Sequence, residues 1–347
     1  MSNHSIVFAG IDVGFGFTKI IVILNGRLRT FTFPSVLGLA ESTVEFNVAG
    51  GSRRKPSTAT FKGTPYFYGD DAVLQSRVTT GRQDRDRIGS DEELLLALIA
   101  LARLNITRAH IVTGLPVAWL RDKDKLIRAW SGTHQIALGK REMSISIENV
   151  TVIPQPLGGY YSWALDNAGQ PAQSKEMLNG ALGLLDIGWN TSDLTGLRAI
   201  RPVQQWCGGE QVGMRRVIEI IDARLRAERG ITRRPHELDA ALRDGQAIAV
   251  YGQPVDVSDI ARQARTLVAA DIQAAATRLW GSADAFDRVL IFGGGAAGLS
   301  GELRKAFPHN GVLLPQPELA NAIGFARLAM RQATESQPKA EFLSDTK

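Results

Sequence analysis

The chain has 347 residues, of which 44% are hydrophobic and 22% charged, with 35 Gly and 14 Pro. This composition is typical of a folded protein of about two domains and excludes a disordered or collagen-like chain. The net charge of +5 is mildly basic, and the single cysteine, Cys207, excludes an internal disulfide and a multi-cysteine metal site.

The N-terminal segment carries no sign of export. Met1–Val7 lacks the basic and apolar regions of a secretory signal. No apolar run in the chain reaches the roughly 18 residues that a membrane-spanning helix needs. We therefore expect a cytoplasmic protein without a membrane span.

Three strands are predicted at the start of the chain. Ile6–Val13 and Thr18–Leu24 are apolar runs, and Arg27–Phe33 alternates with a period of two. Asn25–Gly26, between the second and third runs, is a strong signal for a two-residue hairpin turn. The pattern predicts an antiparallel meander, which differs from the strand–loop–helix opening of a Rossmann-type nucleotide fold.

The next stretch, up to about residue 154, is more varied. Residues 41–70 are poorer in apolar side chains, which predicts a small inserted subdomain, or exposed loops, at about residues 36–75. A charged loop is expected over residues 79–89. The remaining predicted elements are a helix at Glu92–Leu104 with Ser90 or Asp91 as N-cap, a strand at Ala109–Val112, and two strands within Met143–Ile153 that end at Pro154.

The second half repeats the opening pattern and then becomes helical. A strand at Ala181–Ile187 is followed by a turn at Gly188–Thr191 and an extended run at Ser192–Leu197. The later predicted elements are helices at Gln211–Arg229, Pro235–Arg243, Ser258–Trp280 and Glu318–Gln332, and strands at Asp287–Phe292 and Val312–Leu314. Residues 335–347 are polar and are expected to form a flexible tail.

Two segments of the chain match without gaps, Asp12–Lys19 and Asp186–Asp193. Each has Asp first, Gly at +2, an aromatic residue at +3, a hydroxyl residue at +6 and a charged residue at +7. Each also lies between two predicted strands. One such hairpin is unremarkable, but two matched copies favour a functional role over a purely structural one.

The chemistry of such a hairpin suits a phosphate group. A glycine-rich turn directs backbone N–H groups at one point, where phosphate oxygens can accept them. An aspartate at the strand end is useful beside phosphates chiefly when it holds Mg²⁺, usually through water. Two such hairpins predict a clamp that holds a triphosphate from both sides of a cleft.

A third glycine-rich segment, Gly293–Gly298, matches the spacing of a dinucleotide-binding fingerprint. We reject that interpretation because only 49 residues follow it and because Pro315 and Pro317 interrupt the place of the required acidic strand end. Close approach of the backbone to a nucleotide is the better role, with a helix starting near Ser300. The chain has no Walker A motif, so it is not a P-loop NTPase.

Five segments, in this order, resemble the landmarks of the actin-like ATPase superfamily, which includes actins, seventy-kilodalton heat-shock chaperones and sugar kinases. They are Asp12–Lys19 (first phosphate motif), Pro154–Gly159 (first connecting segment), Asp186–Asp193 (second phosphate motif), Leu290–Gly295 (adenosine motif) and Asn321–Ala326 (second connecting segment). Within the superfamily, Ile11–Lys19, Val112–Pro116 and Asn321–Phe325 are most similar to the ParM/StbA-type plasmid-segregation actins, including the protein D members of the PRTRC gene cluster.

The resemblance implies an α/β, actin-like (ribonuclease H-like) fold with two domains around a nucleotide cleft. Domain I would comprise residues 1–157 and 318–334, and domain II residues 158–317. It also implies self-association into filaments that move plasmid DNA through a DNA-binding adaptor protein. The basic clusters at Ser52–Lys55, Arg82–Arg87 and Arg224–Arg234 are most simply solvated faces, and direct contact with DNA is the weaker alternative.

The resemblance also implies the ligands and their residues, with ATP (or GTP) and Mg²⁺ as the cofactors. Asp12 and Asp186 would hold Mg²⁺ through water, and Lys19 would neutralise the β- and γ-phosphates. The other expected phosphate contacts are Gly14, Gly16, Thr18, Gly188, Thr191 and Ser192. The expected nucleoside contacts are Gly293, Gly294 and Gly295 at the adenosine, and Gly209 and Glu210 near the ribose, where Gly208–Glu210 would open a helix.

Gln155 is the expected water-positioning residue, grouped with Asp12 and Asp186 as catalytic. Phosphoryl transfer depends more on positioning and charge neutralisation than on a strong base, and an amide at the connector between domains can orient water. The alternative is a plain linker residue between Pro154 and Pro156. Phe15 departs from the small residue of actins at this place, so coupling between nucleotide and cleft closure is expected to differ.

Three functions remain open at this point. A polymerising ATPase agrees with all five landmarks. A non-polymerising nucleotide-dependent scaffold would use the same cleft. A small-molecule kinase would need a carboxylate base beside an acceptor hydroxyl, and the chain has no clear sugar-kinase signature.

Overall fold

The computed structural model of the chain describes residues 5–40, 55–76, 79–80, 84–243, 245 and 247–336. The described chain is mixed α/β, built on two large sheets. The strands of the first sheet are β1 (Val7–Val13), β2 (Phe17–Leu24), β3 (Arg27–Pro34), β4 (Leu37–Leu39), β5 (Thr58–Phe61), β6 (Thr64–Tyr68), β7 (Thr79–Thr80), β8 (Arg108–Leu115), β9 (Gly132–Leu138) and β10 (Arg141–Pro154). Their spatial order is β3-β2-β1-β8-β10-β9-β5-β6-β4-β7.

The second sheet is formed later in the chain. Its strands are β11 (Ala181–Ile187), β12 (Ser192–Arg198), β13 (Arg201–Glu210), β16 (Arg288–Phe292) and β17 (Gly311–Leu313), and a separate hairpin consists of β14 (Ile248–Val250) and β15 (Gln253–Val255). The spatial order of the five is β13-β12-β11-β16-β17.

The described helices are α1 (Asp70–Gln75), α2 (Asp91–Arg103), α3 (Lys123–Trp130), α4 (Pro156–Ala164), α5 (Lys175–Asn179), α6 (Met214–Arg229), α7 (Pro235–Arg243), α8 (Ser258–Trp280), α9 (Ala296–Ala306) and α10 (Ala320–Ser336). Short 3-10 helices occur at Arg85–Arg87, Val117–Asp122 and Pro317–Leu319. None of the helices in the described part of the chain is long and apolar enough to cross a membrane.

Both sheets have the same central topology. In the first, β1, β2 and β3 form an antiparallel meander, and β8 and β10 add in parallel on the other side of β1. In the second, β11, β12 and β13 form the meander, and β16 and β17 add in parallel. The internal repeat seen in the sequence therefore corresponds to two copies of one strand order.

Most predicted elements are confirmed, and some boundaries agree to the residue. The helices predicted at Pro235–Arg243 and Ser258–Trp280 are α7 and α8, and the strand predicted at Ala181–Ile187 is β11. Ser90 is the N-cap of α2, since its hydroxyl accepts the N–H of Glu93 at 3.2 Å.

Two predictions about the elements are wrong. Gly208–Glu210 does not open a helix but ends β13, because Gly208 and Gly209 pair with Leu194 and Asp193 of β12. Likewise, the two strands expected within Met143–Ile153 are one strand, β10, whose first half pairs with β9 and whose second half pairs with β8. In both cases the partner strand, and not the local sequence, decided the outcome.

The expected inserted subdomain is continuous with the first sheet. Strand β5 pairs with β9 at its edge, and β6 and β4 continue the same sheet. Residues 41–54 of the predicted subdomain lie outside the described residues. Of the predicted tail, Glu335 and Ser336 belong to α10, and residues 337–347 lie outside the described residues.

Helices α4 and α10 cross closely between the two sheets. A Cβ on Gly324 of α10 would overlap the carbonyl oxygen of Gly158 in α4, so the crossing requires glycine. Asn321 lies at the same crossing, where its Oδ1 accepts the N–H of Gly159 at 3.0 Å. The two predicted connecting segments thus contact each other directly.

Candidate functional site

A cavity of about 550 Å³ lies between the two sheets. It is lined by the turns that join β1 to β2 and β11 to β12, by the glycine segment after β16, and by the start of α10. Gln155, immediately before α4, also lines it. The segments that the sequence singled out therefore converge on one space.

The first hairpin is closed by its own backbone and by an ion pair. The N–H of Gly14 donates to the carbonyl of Phe17 at 3.1 Å. Asp12 and Lys19 are opposite each other in the β1–β2 ladder, and Lys19 Nζ lies 3.1 Å from Asp12 Oδ2. Both side chains are largely buried, at 12% exposed for Lys19 and 7% for Asp12. The carboxylate of Asp12 thus has its counter-ion within the hairpin.

The second hairpin has the same backbone but a different charge. The N–H of Gly188 donates to the carbonyl of Thr191 at 2.8 Å, and Asp186 is opposite Asp193 in the β11–β12 ladder. Burial raises the pKa of Asp186 to about 7, opposed by a hydrogen bond from Asn321 Nδ2 to its Oδ2 at 2.7 Å. Burial also raises the pKa of Asp193 to about 6. These two carboxyls have no lysine or arginine within ion-pair distance among the described residues.

The donor set at the cavity suits a hydrated hard cation. Asp12, Asp186 and Asp193 all line it, and the negative charges of Asp12 and Asp193 raise the pKa of Asp186 further. Carboxylate oxygens are ligands that Mg²⁺ prefers, and Mg²⁺ commonly takes one or two of them and keeps several of its waters. Among the described residues, no group of three or more His, Cys, Asp or Glu side chains is arranged to hold a metal ion by itself. The residues therefore fit a cation held jointly by protein and phosphate.

Gly293 brings the adenosine segment against the second hairpin. Its φ is +98°, and a Cβ there would overlap Asp186 Oδ1 and the backbone of Ile187. The N–H of Gly295 donates to the carbonyl of Ile187 at 2.8 Å. Gly293 and Gly294 line the cavity, and the helix expected near Ser300 begins earlier, at Ala296.

Gln155 lies where the first sheet meets α4. Its backbone N–H donates to the carbonyl of Leu115 at 2.8 Å, and its carbonyl accepts the N–H of Gly158 at 2.9 Å. These bonds fix the backbone and leave the side-chain amide at the cavity, without a hydrogen-bond partner among the described residues.

Several predicted contacts are placed differently. Five residues do not line the cavity, namely Thr18, Ser192, Gly209, Glu210 and Gly295. The hydroxyl of Thr18 shares a buried hydrogen bond of 2.8 Å with that of Ser35, and the hydroxyl of Ser192 donates to the carbonyl of Val212 at 2.7 Å. Glu210 accepts a hydrogen bond from Arg278 at 2.5 Å on the surface.

The N–H groups of Gly14 and Gly188 close their own turns, so they are not available as the expected phosphate donors. The N–H groups of Phe15 and Gly16, the next two residues of the turn, have no hydrogen-bond partner among the described residues. They are therefore the candidate donors to phosphate. The turn rather than its first glycine is therefore the candidate phosphate contact.

The structure brings further residues to the site. Asp193 and Asn321 lie within the quoted motifs, but no phosphate or metal role was predicted for either. Arg87 and Glu93 also line the cavity, and both are buried. The expectation that Arg82–Arg87 is a solvated face is thus wrong for Arg87, while Arg82 lies outside the described residues. A lone basic residue in a charged run gives no sequence signal of burial.

Two family models match consecutive parts of the chain. Residues 10–158 match the model of the actin like proteins N terminal domain. Residues 184–305 match the C-terminal model of the archaeal actin homologue, MreB-like. No curated protein sequence matches the chain significantly.

Solved structures are similar over almost the whole chain. A ParM filament protein from Clostridium botulinum is 23% identical, with 94% of this chain and 99% of that chain covered and a TM-score of 0.74. A non-polymerisable quadruple mutant of the pCBH ParM is 23% identical over 93% and 99%, with a TM-score of 0.75. An archaeal actin homologue in complex with ADP is 20% identical over 96% and 100%, with a TM-score of 0.77. The chain therefore has the mixed α/β, actin-like fold that the motifs predicted.

Proposed function

We propose that this actin-like protein binds ATP with Mg²⁺ in the cavity, hydrolyses it, and polymerises into dynamic filaments that segregate plasmid DNA. The observation that carries the proposal is the convergence of two matched hairpins, each with a buried aspartate, on one cavity of about 550 Å³. That volume is in the range of a small-molecule ligand site.

The nucleotide would lie across both sheets. Lys19, the Phe15–Gly16 turn and Thr191 would contact the phosphates, and Gly293 and Gly294 would border the nucleoside. The archaeal actin homologue solved with ADP supports a nucleotide in a fold of this kind. ATP is the proposed nucleotide, with GTP as the alternative.

Mg²⁺ would be held by Asp12 and Asp186 through water, with the remaining ligands from the phosphates. Bound there, the ion would neutralise charge on the phosphate oxygens. Asp186 is fixed for this by Asn321, whose amide bridges it to the first turn of α4 through Gly159. Binding in the cavity is thereby linked to the crossing of α4 and α10.

Gln155 would orient the water that attacks the terminal phosphate. Its backbone is fixed on both sides and its amide is free to bond at the cavity. Hydrolysis by this route needs positioning and no strong base.

Filament formation is supported by likeness to the Clostridium botulinum ParM, which was solved as a 15-stranded filament. A DNA-binding adaptor protein would connect the filament to its plasmid, and the whole would operate in the cytoplasm.

The test is right-angle light scattering of the purified protein after addition of Mg²⁺ and ATP, with phosphate release followed in parallel. A rise in scattering that decays as phosphate appears is the expected result. Phosphate release without scattering would favour a non-polymerising scaffold or a small-molecule kinase. If the folded protein gives neither scattering nor phosphate release, the proposed ATPase activity is contradicted.

Gln155→Ala tests the positioning role. We expect phosphate release about 100-fold slower, with ATP affinity within about twofold of wild type, because the amide acts on the water and not on the nucleotide. Gln173→Ala, whose amide donates to the carbonyl of Trp163 away from the cavity, is the matched control. Loss of ATP binding in Gln155→Ala would contradict the role.

A further inference from the structure

A buried arginine lies behind the first phosphate turn. Arg87 ends the short 3-10 helix Arg85–Arg87 before α2, and it is only 9% exposed although its neighbours Arg85 and Asp86 are exposed. Its side chain lines the cavity. A buried guanidinium loses hydration free energy of several kcal/mol, so its position calls for a compensating role.

Arg87 contacts both residues at the start of the turn. Its Nη2 donates to the carbonyl of Gly14 at 3.1 Å, and its guanidinium carbon lies 5.2 Å from the centroid of the Phe15 ring. Phe15 in turn makes a T-shaped contact with Trp119, with ring centroids 5.8 Å apart and planes at 90°. A displacement of Arg87 would therefore be transmitted to the turn and to Trp119.

The acid facing Arg87 is itself fixed elsewhere. Glu93 Oε2 accepts the N–H of Gly89 at 2.7 Å, and its own N–H donates to Ser90 at the start of α2. No carboxylate oxygen among the described residues lies within ion-pair distance of Arg87, whereas Lys19 is taken by Asp12. Its single hydrogen bond within the described structure leaves further N–H donors of the guanidinium unused.

A planar guanidinium with spare donors suits a phosphate group. It presents parallel N–H groups that match two phosphate oxygens, and the interaction is strongest where water is excluded. When ionised, Asp12 and Asp186 offer only acceptors, so in that state they can approach phosphate only through a cation. Arg87, Lys19 and Arg243 all lie beside the first hairpin, the last with its guanidinium carbon 4.6 Å from the Phe17 ring centroid. Lys19 is paired with Asp12 and Arg243 with Asp239, so of these three cations only Arg87 lacks an acidic partner at contact distance within the described residues.

We propose that Arg87 contacts the terminal phosphate of a bound nucleoside triphosphate and is the residue by which the site distinguishes the triphosphate from the diphosphate. The proposal rests on nucleotide binding in the cavity, as proposed above. On binding, the guanidinium exchanges part of its contact with Gly14 for phosphate oxygens, and Phe15 and Trp119 adjust with it. Phe15, which replaces a small residue of actins, serves as the packing surface of this arginine.

The test compares Arg87→Lys and Arg87→Met with Arg85→Met. Arg85 belongs to the same 3-10 helix but is exposed and paired with Asp122, so its variant controls for the loss of a nearby positive charge. Binding of a non-hydrolysable ATP analogue and of ADP, each with Mg²⁺, is measured by calorimetry on the full chain. Tryptophan fluorescence is recorded in the same samples, with Trp119→Phe to assign the signal.

We expect both Arg87 variants to bind the triphosphate at least 10-fold more weakly and ADP within about threefold of wild type. The triphosphate-dependent change in Trp119 fluorescence should be lost as well. Arg87→Lys keeps a charge but not the planar pair of donors, and it decides the test if Arg87→Met does not fold.

Equal loss of affinity for both nucleotides would show that Arg87 only supports the turn, and unchanged affinity for both would exclude it from phosphate recognition. Either result overturns the inference while the proposed function stands. A folded wild-type protein that binds neither nucleotide would instead overturn the proposed function, and this inference with it.

Discussion

The β1–β2 and β11–β12 hairpins have the same backbone hydrogen bond but carry different charges. In both, a glycine N–H closes the turn onto the carbonyl three residues later, and the aspartate at the end of the first strand is opposite the charged residue at +7. In the first hairpin that residue is Lys19, 3.1 Å from Asp12. In the second it is Asp193, which increases the negative charge around Asp186.

The two hairpins therefore share their backbone structure but differ in the charge of the residue opposite the aspartate. In the first hairpin, the negative charge of Asp12 is compensated by Lys19 within the same hairpin. The second hairpin holds two buried carboxyls, of Asp186 and Asp193, and burial raises their pKa values to about 7 and about 6. Neither carboxyl has a lysine or arginine at ion-pair distance among the described residues. Under the proposed function, a bound cation would therefore compensate the charge of the second hairpin more than that of the first.

The largest effect is expected from Asp186→Asn. Removing this carboxylate should slow phosphate release by about 100-fold or more, since positioned charge at the reacting phosphate contributes on that order. Asp271→Asn, on the exposed face of α8, is the matched control. If phosphate release stays within about threefold of wild type at saturating Mg²⁺, Asp186 has no role in hydrolysis.

Removing the +7 charge from the first hairpin should destabilise it. Lys19→Met leaves Asp12 buried without its counter-ion, which we expect to lower the free energy of unfolding by about 2–3 kcal/mol. Denaturant unfolding of the nucleotide-free protein at pH 7.5 measures it. If the double variant Asp12→Asn with Lys19→Met is no more stable than Lys19→Met alone, the ion pair is not the cause.

Removing the +7 charge from the second hairpin should raise the free energy of unfolding, and by less than the Lys19 substitution lowers it. Asp193→Asn relieves a buried negative charge, so we expect nucleotide-free protein to gain about 1 kcal/mol at pH 7.5. The same unfolding experiment applies. A loss of stability would contradict the view that the buried charge of Asp193 destabilises the nucleotide-free protein.

The same comparison gives a pH dependence, which is the smallest effect. Because the pKa of Asp193 is raised to about 6 in the folded state, the folded protein holds the proton more tightly than the unfolded chain. The stabilisation is fully present below the unfolded pKa of about 4 and is lost as the pH rises through about 6. Wild-type stability should therefore fall between pH 4 and pH 7 more steeply than that of Asp193→Asn, as thermal melting across that range would show.

Some misplacements of site residues could have been found in the sequence. Asp12 and Lys19 face each other at the cavity, so Thr18, the neighbour of Lys19 on the same strand, must point to the opposite face. The same alternation turns Ser192 away while Asp193 faces the cavity. The alternation of side chains along a strand is therefore sufficient to exclude the hydroxyls of Thr18 and Ser192 from the cavity.

Other features had no local signal. Gly208–Glu210 became part of β13 because β12 offered a ladder partner, and Arg87 became buried because the chain before α2 packs against the turn that carries Gly14 and Phe15. Neither event depends on neighbours in sequence. Both depend on segments brought together over long separations.

The sequence by itself determined the strand and helix periods, the tight turns and the duplicated motif, while the actin-like fold was inferred from the resemblance of its motifs to a known superfamily. The periods and turns depend on interactions within a few residues, such as side-chain alternation, N-capping by Ser90 and the conformational freedom of glycine. Only the tertiary structure decided which charges are paired, which are buried and which donors remain unused at the cavity. Those properties depend on solvent exclusion and on distances between remote segments, and a linear pattern does not contain either.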